Sequence, residues 1–320
     1  MIDVLSEVLA VTRLKGTVYF SADLRLPWGI ALPHRKRAPF YVVARGRCVI
    51  ALDHTPSSCV ALGPGDLVVL PGGAAHALAS SARAATMPLE RFVTRYPMDA
   101  RGHVDALGGK RPTTSLIGGF FEFERDPEPL VTVLPPLIHV DAHDPTLRSR
   151  LGPILRSIAH EAARPFPGRA VVLNRLADVL FVTMVRAHLL TMSAAGATKP
   201  PNWLRGLTDS RIAQALAQIH GSPEEAWTLA RLASHAAMSR TAFAERFRAL
   251  VGQAPMGYLA TWRMQKAAYF LEMGTMSIAQ VAGRVGYTSE LAFAKAFRRV
   301  IGMPPGAYQR RAIRRRKTAP

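Results

Sequence analysis

The sequence predicts an α+β, multidomain chain: a small β-barrel with a helical hairpin in front, and an all-α tandem helix-turn-helix domain behind. Three observations predict it. Short β-type runs fill residues 16–79, helical periodicity takes over near residue 147, and one helical unit occurs twice towards the end at an offset of 50 residues.

Taken in order, residues 2–12 place Ile2, Leu5, Val8 and Leu9 at helical spacing and predict a short amphipathic helix. From Gly16 to Ala79 the runs Thr17–Phe20, Phe40–Val43, Cys48–Leu52 and Leu67–Leu70 are cut by Pro27, Gly46, Pro56 and the turn Gly63-Pro64-Gly65-Asp66. That spacing suits a sandwich or barrel. Residues 80–112 read as irregular, Ser115–Phe123 as a further strand, and Leu130–Val140 as an apolar stretch. Helices are expected over Leu147–Ala163 and Ala170–Met192, the second with Val172, Leu176, Val179, Leu180 and Thr183 on one stripe. The Gly/Ala/Pro-rich segment 193–202 reads as a linker. The expected division is therefore 1–145, a β-rich domain; 146–200, a helical element and linker; and 201–320, a helical domain.

The net charge is +19, from 41 Lys and Arg against 22 Asp and Glu, and it is unevenly placed. Residues 202–320 carry 18 Lys and Arg against 6 Asp and Glu, a net of +12. A basic C-terminal third is the footprint of a phosphate-backbone partner. The N-terminus lacks the pattern of a signal peptide, and no window supplies the ~18 uninterrupted apolar residues of a membrane span. A cytoplasmic protein with no membrane partner is expected. Cys48 and Cys59 give neither a disulfide framework nor a zinc set and read as reduced, small buried hydrophobes. The tail 310–317 reads as a disordered, solvated basic run.

Residues 239–258 laid over 289–308 agree at nine of 20 positions, including Ser239/Ser289, Phe243/Phe293, Phe247/Phe297, Gly252/Gly302, Pro255/Pro305 and Tyr258/Tyr308. Each copy reads as a short helix, a tight turn and a second helix opened by an N-cap serine. Gly286 supplies the left-handed residue such a turn favours, and strain is expected where Ala237 replaces it. With the phenylalanines buried at i, i+4, the opposite face carries Arg240, Thr241, Ala244, Glu245 and Arg248 in the first copy. In the second it carries Glu290, Leu291, Ala294, Lys295 and Arg298. A bundle whose repeat serves only packing is the alternative, but matched caps and exposed basic residues favour two DNA-recognition helices. A helix from Pro255 to about Met273 would hold them in fixed relation.

Residues 205–310, and above all IAQVAGRVGYTSELAFAKAFRRVIGMPPGAYQ at 278–309, resemble the C-terminal domain of the AraC/XylS family of bacterial regulators. Departures are Met303 where Ser or Thr is usual, Gln309 for an Arg, and Leu291 for Ser or Ala. The resemblance implies double-stranded DNA as partner. It implies base-facing roles for Thr241, Ala244 and Glu245, with Arg240 near the backbone, and for Glu290, Leu291, Ala294 and Lys295. It also implies a homodimer, a small-molecule effector and, for an activator, RNA polymerase.

The front half carries Gly65-x5-Pro71-x-Gly73-x2-His76, most of the second cupin motif. The first motif retains only His34, since Leu32 and Pro39 occupy other ligand places. Two imidazoles complete no metal site, so the barrel reads as a degenerate cupin without metal or other cofactor. His34 and His76 remain candidate effector contacts. Residues 2–192, through FYVVARGRCVIAL (40–52) and LGPGDLVVLPGGAAHALA (62–79), resemble the cupin-type sensor domain of one branch of that family. A metal-dependent cupin enzyme with an accessory nucleic-acid domain is the rival class. The missing His and Glu argue against it, and no enzymatic activity is expected.

Overall fold

The computed structural model describes residues 3–12, 14–52, 59–106, 113–123, 133–163, 166–194 and 201–318. They form two compact units, Thr12–Leu190 and a second made of Met1–Val11 with Thr191–Pro320. The turn around Pro56 and most of the expected linker lie outside the described residues.

Helix α1 (Val4–Thr12) buries Leu5 and Val8 of the expected stripe and Val4 besides, while Leu9 is half-buried and Ile2 lies outside the described residues. Glu7 on this helix pairs with Lys266 at 2.8 Å. The chain then builds two sheets from β1 (Leu14–Leu24), β2 (Gly29–Leu32), β3 (Ala38–Arg45), β4 (Cys48–Leu52), β5 (Cys59–Leu62), β6 (Leu67–Val69), β7 (His76–Ala79), β8 (Met87–Pro88), β9 (His103–Ala106), β10 (Thr114–Phe123) and β11 (Ile138–Val140). One sheet runs β11-β6-β3-β10-β1-β9, the other β5-β4-β7-β2-β8. Between them Leu24, Trp28, Ile30, Tyr41, Val43, Ile50, Val68 and Leu78 make the barrel core. Strand β3 is buried on both faces, which explains its unbroken apolar run. Tyr41 and Val43 point into the barrel, while Phe40 stacks on Phe121 (4.8 Å between centroids) on the other side.

Of the stretch 80–112, the described residues 80–106 are more regular than the sequence predicts. It holds β8, helix α2 (Leu89–Arg95) and β9, which pairs parallel to β1. Helix α3 (Pro145–Ala163) is capped by Asp144, whose carboxylate accepts from the amides of Thr146 and Leu147. Its last carbonyls are held by Arg169, at Glu161 and Ala162. Helix α4 (Arg169–Ala194) packs Phe181 edge-on against Phe121 and crosses β1 closely at Gly16. A Cβ at Gly16 would lie 2.6 Å from that of Ala177. The apolar stripe expected on this helix is corrected. Leu173, Ala177, Leu180, Phe181 and Met184 are buried, whereas Val172 and Val179 are exposed, because the helix is apolar on two sides and the sheet takes the other one.

The second unit is helical: α5 (Trp203–Gly206), α6 (Ser210–Gly221), α7 (Leu229–His235), α8 (Arg240–Val251), α9 (Pro255–Met273), α10 (Ile278–Arg284), α11 (Glu290–Ile301) and α12 (Pro305–Thr318). Helix α9 separates two like cores, one around Phe243, Phe247 and Leu259 and the other around Met264, Leu271, Val281, Phe293 and Phe297. The basic tail is a correction too. It continues α12 as far as Thr318 rather than running disordered, since Arg and Lys are good helix formers once Pro305 has opened the helix. Among the described residues, no helix is long and apolar enough to cross a membrane.

Candidate nucleic-acid interface

Helices α7–α8 and α10–α11 repeat one another in the caps of their second helices, their turns and their aromatic cores. The Ser239 hydroxyl accepts from the Ala242 amide at 3.3 Å, and Ser289 does the same for Ala292. Each second helix ends at a left-handed glycine, Gly252 (φ 89°) or Gly302 (φ 84°), and a proline three residues on opens the next helix. Inside, the Phe243–Phe247 and Phe293–Phe297 centroids are both 5.6 Å apart, with Tyr258 or Tyr308 edge-on to the second ring.

The turns match as well. Met238 N–H donates to Ala233 O and Tyr287 N–H to Ala282 O, at 3.0 and 2.9 Å. Both turns place their central residue at positive φ, 49° for Ala237 and 80° for Gly286, so the alanine carries the strain expected of it. The leading helices differ in their caps. Thr228 alone caps α7, whereas Ser277 and Gln280 form a reciprocal capping box on α10.

This architecture turns the expected faces outward. Arg240, Thr241, Glu245 and Arg248 are exposed on α8, and Glu290, Leu291, Lys295 and Arg298 on α11, with Ala244 and Ala294 half-buried beneath them. Leu291 is 67% exposed, a large apolar side chain standing free on a cationic face. The short alanines leave room for a groove wall to approach the helix. The outward surface can thus offer guanidinium and ammonium donors, one carboxylate acceptor per helix, and apolar contact through Leu291.

One residue of α8 was not anticipated. Arg246 turns away from the exposed face and grips Asp209, its Nε 2.7 Å from the carboxylate. Asp209 is the N-cap of α6, accepting from the amides of Arg211 and Ile212. Burial disfavours its charge, yet the Ile212 amide and Arg246 more than offset that and hold its carboxyl below the usual range. The second copy has half-buried Ala296 at this place. No local pattern in the sequence announces a pair 37 residues apart. Gln309, a departure from the family pattern, donates inward to Met276 O at 3.2 Å.

In the front unit His34 is exposed on the segment between β2 and β3, while His76 is buried. His76 Nδ1 lies 2.8 Å from Ala74 O, which makes Nε2 the acceptor for the Tyr41 hydroxyl at 2.8 Å. Among the described residues, the grouping close enough to share a cation is Asp66, Asp141 and His143, which includes neither cupin-motif histidine. Asp66 is committed to the turn, accepting from the amides of Gly63 and Ala142. Cys48 faces Leu62 and Cys59 faces Ala51 in the β4–β5 ladder, a stagger too long for a disulfide. Burial pushes the Cys48 thiol up to about 12. A cavity of about 370 Å³ lies where Ser21, Asp23, His103 and Ser115 face Ala159, Ala162 and Arg169.

A tandem helix-turn-helix unit of this kind, following a cupin-like barrel, defines a class of DNA-binding protein. The cupin family profile matches residues 3–190, and a helix-turn-helix domain profile matches residues 232–311. An AraC-like transcription regulator of Streptomyces lividans is 36% identical over 315 residues, covering 96% of this chain and 98% of the relative. One of Streptomyces antibioticus is 34% identical over 311 residues, with coverage of 96% and 98%. The transcriptional regulator AlkR of Acinetobacter baylyi is 28% identical over 317 residues, with coverage of 97% and 100%. The chain belongs to the AraC-like transcription regulators, DNA-binding proteins with a helix-turn-helix domain, here joined to a cupin N-terminal domain.

Proposed function

We propose that this regulator reads two successive major grooves with α8 and α11, and that an effector held by the front unit controls the reading. The observation that supports the proposal is the repeat of second-helix caps, turns and phenylalanine cores, which presents two like-placed faces. Helix α9, with 19 residues, spans about 28 Å. That is close to the ~34 Å of one duplex turn, the separation of successive major grooves on one face. Arg240, Thr241, Ala244, Glu245 and Arg248 would meet one half-site, and Glu290, Leu291, Ala294, Lys295 and Arg298 the other. Arg240, Arg248 and Arg298 supply phosphate contacts, and the remaining side chains face bases.

The division into sensing (1–145), dimerisation and linker (146–200) and DNA-binding (201–320) segments is part of this reading. So are a homodimer formed through α4, RNA polymerase contact when the protein activates, and a cytoplasmic, nucleoid-associated location. The stripe left exposed on α4 by Val172, Val179 and Leu190 supports self-association. For the effector, the cavity beside Ser21, His103 and Ser115 has more support than the pair His34 and His76, because both ring nitrogens of His76 already have partners. Its size falls in the range of small-molecule sites.

Selection of duplexes from a random pool by the full chain, followed by footprinting, tests the reading. Two protected major-groove segments one helical turn apart are expected. Protection of a single segment would refute two-groove binding.

A further inference from the structure

One of the differences between the two helix-turn-helix copies lies in the turn itself. Gly286 and Ala237 occupy the same place in the turn, and both take positive φ. Ala237 shows that the backbone tolerates a side chain there. Gly286 has a second reason to be glycine: a Cβ on it would lie 2.5 Å from Glu224 O and 2.8 Å from Arg263 Nη2. The turn of the second copy is therefore packed directly on the segment that leads into the first.

Arg263, on α9, joins the two. Its Nε donates to Pro223 O at 2.6 Å and its Nη2 to Glu225 O at 2.8 Å. Its guanidinium carbon lies 5.7 Å from the Tyr287 ring centroid, against the residue that follows Gly286. Segment 222–227 is itself stiff. Trp227 N–H donates to Glu225 O and Trp227 Nε1 to Ser222 O, at 2.7 and 2.8 Å. The Glu225 carboxylate then accepts both Nη atoms of Arg231 on α7, at 3.1 Å each. A continuous path runs from α7 through Glu225 and Arg263 to the turn before α11.

We propose that Arg263, wedged between the carbonyls of Pro223 and Glu225 and the Gly286–Tyr287 turn, is a positioning residue that sets the spacing the two recognition helices demand of DNA. It touches no base in this scheme. Helix α9 packs into both cores and sets the distance between the two units. Arg263 adds a direct tie against rolling about that axis, bonding to the backbone of one unit while its face packs on the other. A planar fork suits this role, since two of its donors reach two carbonyls. The proposal rests on the two-groove reading.

The test uses the full chain and a duplex that the wild type selects from a random pool. The duplex is remade with one base pair inserted or removed between half-sites, or with one half-site scrambled. One base pair moves a half-site by about 3.4 Å and a tenth of a turn. Wild type is expected to lose about tenfold in affinity on either respaced duplex. Arg263→Met is expected to bind the three spacings within about threefold of one another, while matching wild type on the single half-site duplex. Gly286→Ala attacks the same contact from the other side, keeps Arg263, and is expected to flatten the spacing preference too. Thermal melting checks that each variant is folded. Undiminished spacing preference in both folded variants would overturn the strut, as would an equal loss on all four duplexes. A wild type indifferent to spacing, or to loss of a half-site, would overturn the two-groove reading and the strut with it. With a spacing-sensitive wild type, the two variants report on Arg263 alone.

Discussion

The Nε2 of His220 lies 2.7 Å from the hydroxyl of Tyr258, and both groups are buried at the junction of α6 and α9. The Trp262 ring covers the imidazole at 4.0 Å between centroids, and His220 Nδ1 has no hydrogen-bond partner among the described residues. Burial first, and the charge of Lys266 second, hold the His220 pKa down to about 3. The imidazole is therefore neutral in the folded chain at every ordinary pH. The unfolded chain takes up its proton near pH 6.5. Stability from this group is complete above that value and is lost as pH falls from about 6.5 towards 3, by about 1.4 kcal/mol per unit. Urea midpoints followed by tryptophan fluorescence between pH 8 and 4.5 should show the slope, and His220→Phe should reduce it. An unchanged slope in the variant would place the acid sensitivity elsewhere.

Asp209 carries two jobs, the cap of α6 and the anchor of Arg246. Asp209→Ala should cost about 1–2 kcal/mol, most of it from the cap because Arg246 is half in solvent. Arg246→Ala should cost less than half of that. Both should weaken DNA binding through the first recognition helix while leaving contacts of the second intact. Equal stability losses in the two variants would show that the ion pair, not the cap, dominates.

Glu245 and Lys295 occupy matching places on α8 and α11, and they should respond oppositely to truncation. If Glu245 faces a base, its carboxylate can only accept hydrogen bonds, so the natural partner is a cytosine N4 amino group, and it repels phosphate. Glu245→Ala should relax preference at one position with total affinity held or raised. Lys295→Ala should weaken binding by about 1–3 kcal/mol if it reads guanine. Selections run with both variants at one salt concentration decide this. A wild-type sequence preference in Glu245→Ala would leave that residue a plain surface charge.

If α4 mates with a second copy, its exposed valines are the contact. Val179→Glu puts a charge in the middle of that stripe without touching the sheet-facing side. Sedimentation should then show a dimer for wild type and a monomer for the variant, with the fold retained. A dimer in both would move the interface off this face.

The recognition helices were legible in the sequence because everything that shapes them is local. A serine cap, phenylalanines four apart and a closing glycine all fall within 14 residues of Ser239, and again of Ser289. Strand β3 was legible for the same reason. What the sequence hides depends on distance or on competition between faces. Arg263 reads as any cation on a helix, and its partners are backbone carbonyls 38 and 40 residues away, which carry no sequence signature. Helix α2 is seven residues long, opens on Pro88 without a side-chain cap, and buries only Phe92, so periodicity had too little to act on. Helix α4 offered two apolar sides, and only the packed sheet could choose between them.

Helix α1 belongs with the helices of residues 191–320 rather than with the strands that follow it in the chain. During synthesis this has a consequence for the order of events. The Glu7 side chain leaves the ribosome roughly 260 residues ahead of its partner Lys266, an interval of about 13–50 s at ordinary translation rates. The strands and α3 emerge meanwhile and can close on themselves. The Glu7–Lys266 contact cannot close until α9 has been made, so the first helix of the chain waits on a segment synthesised long after it.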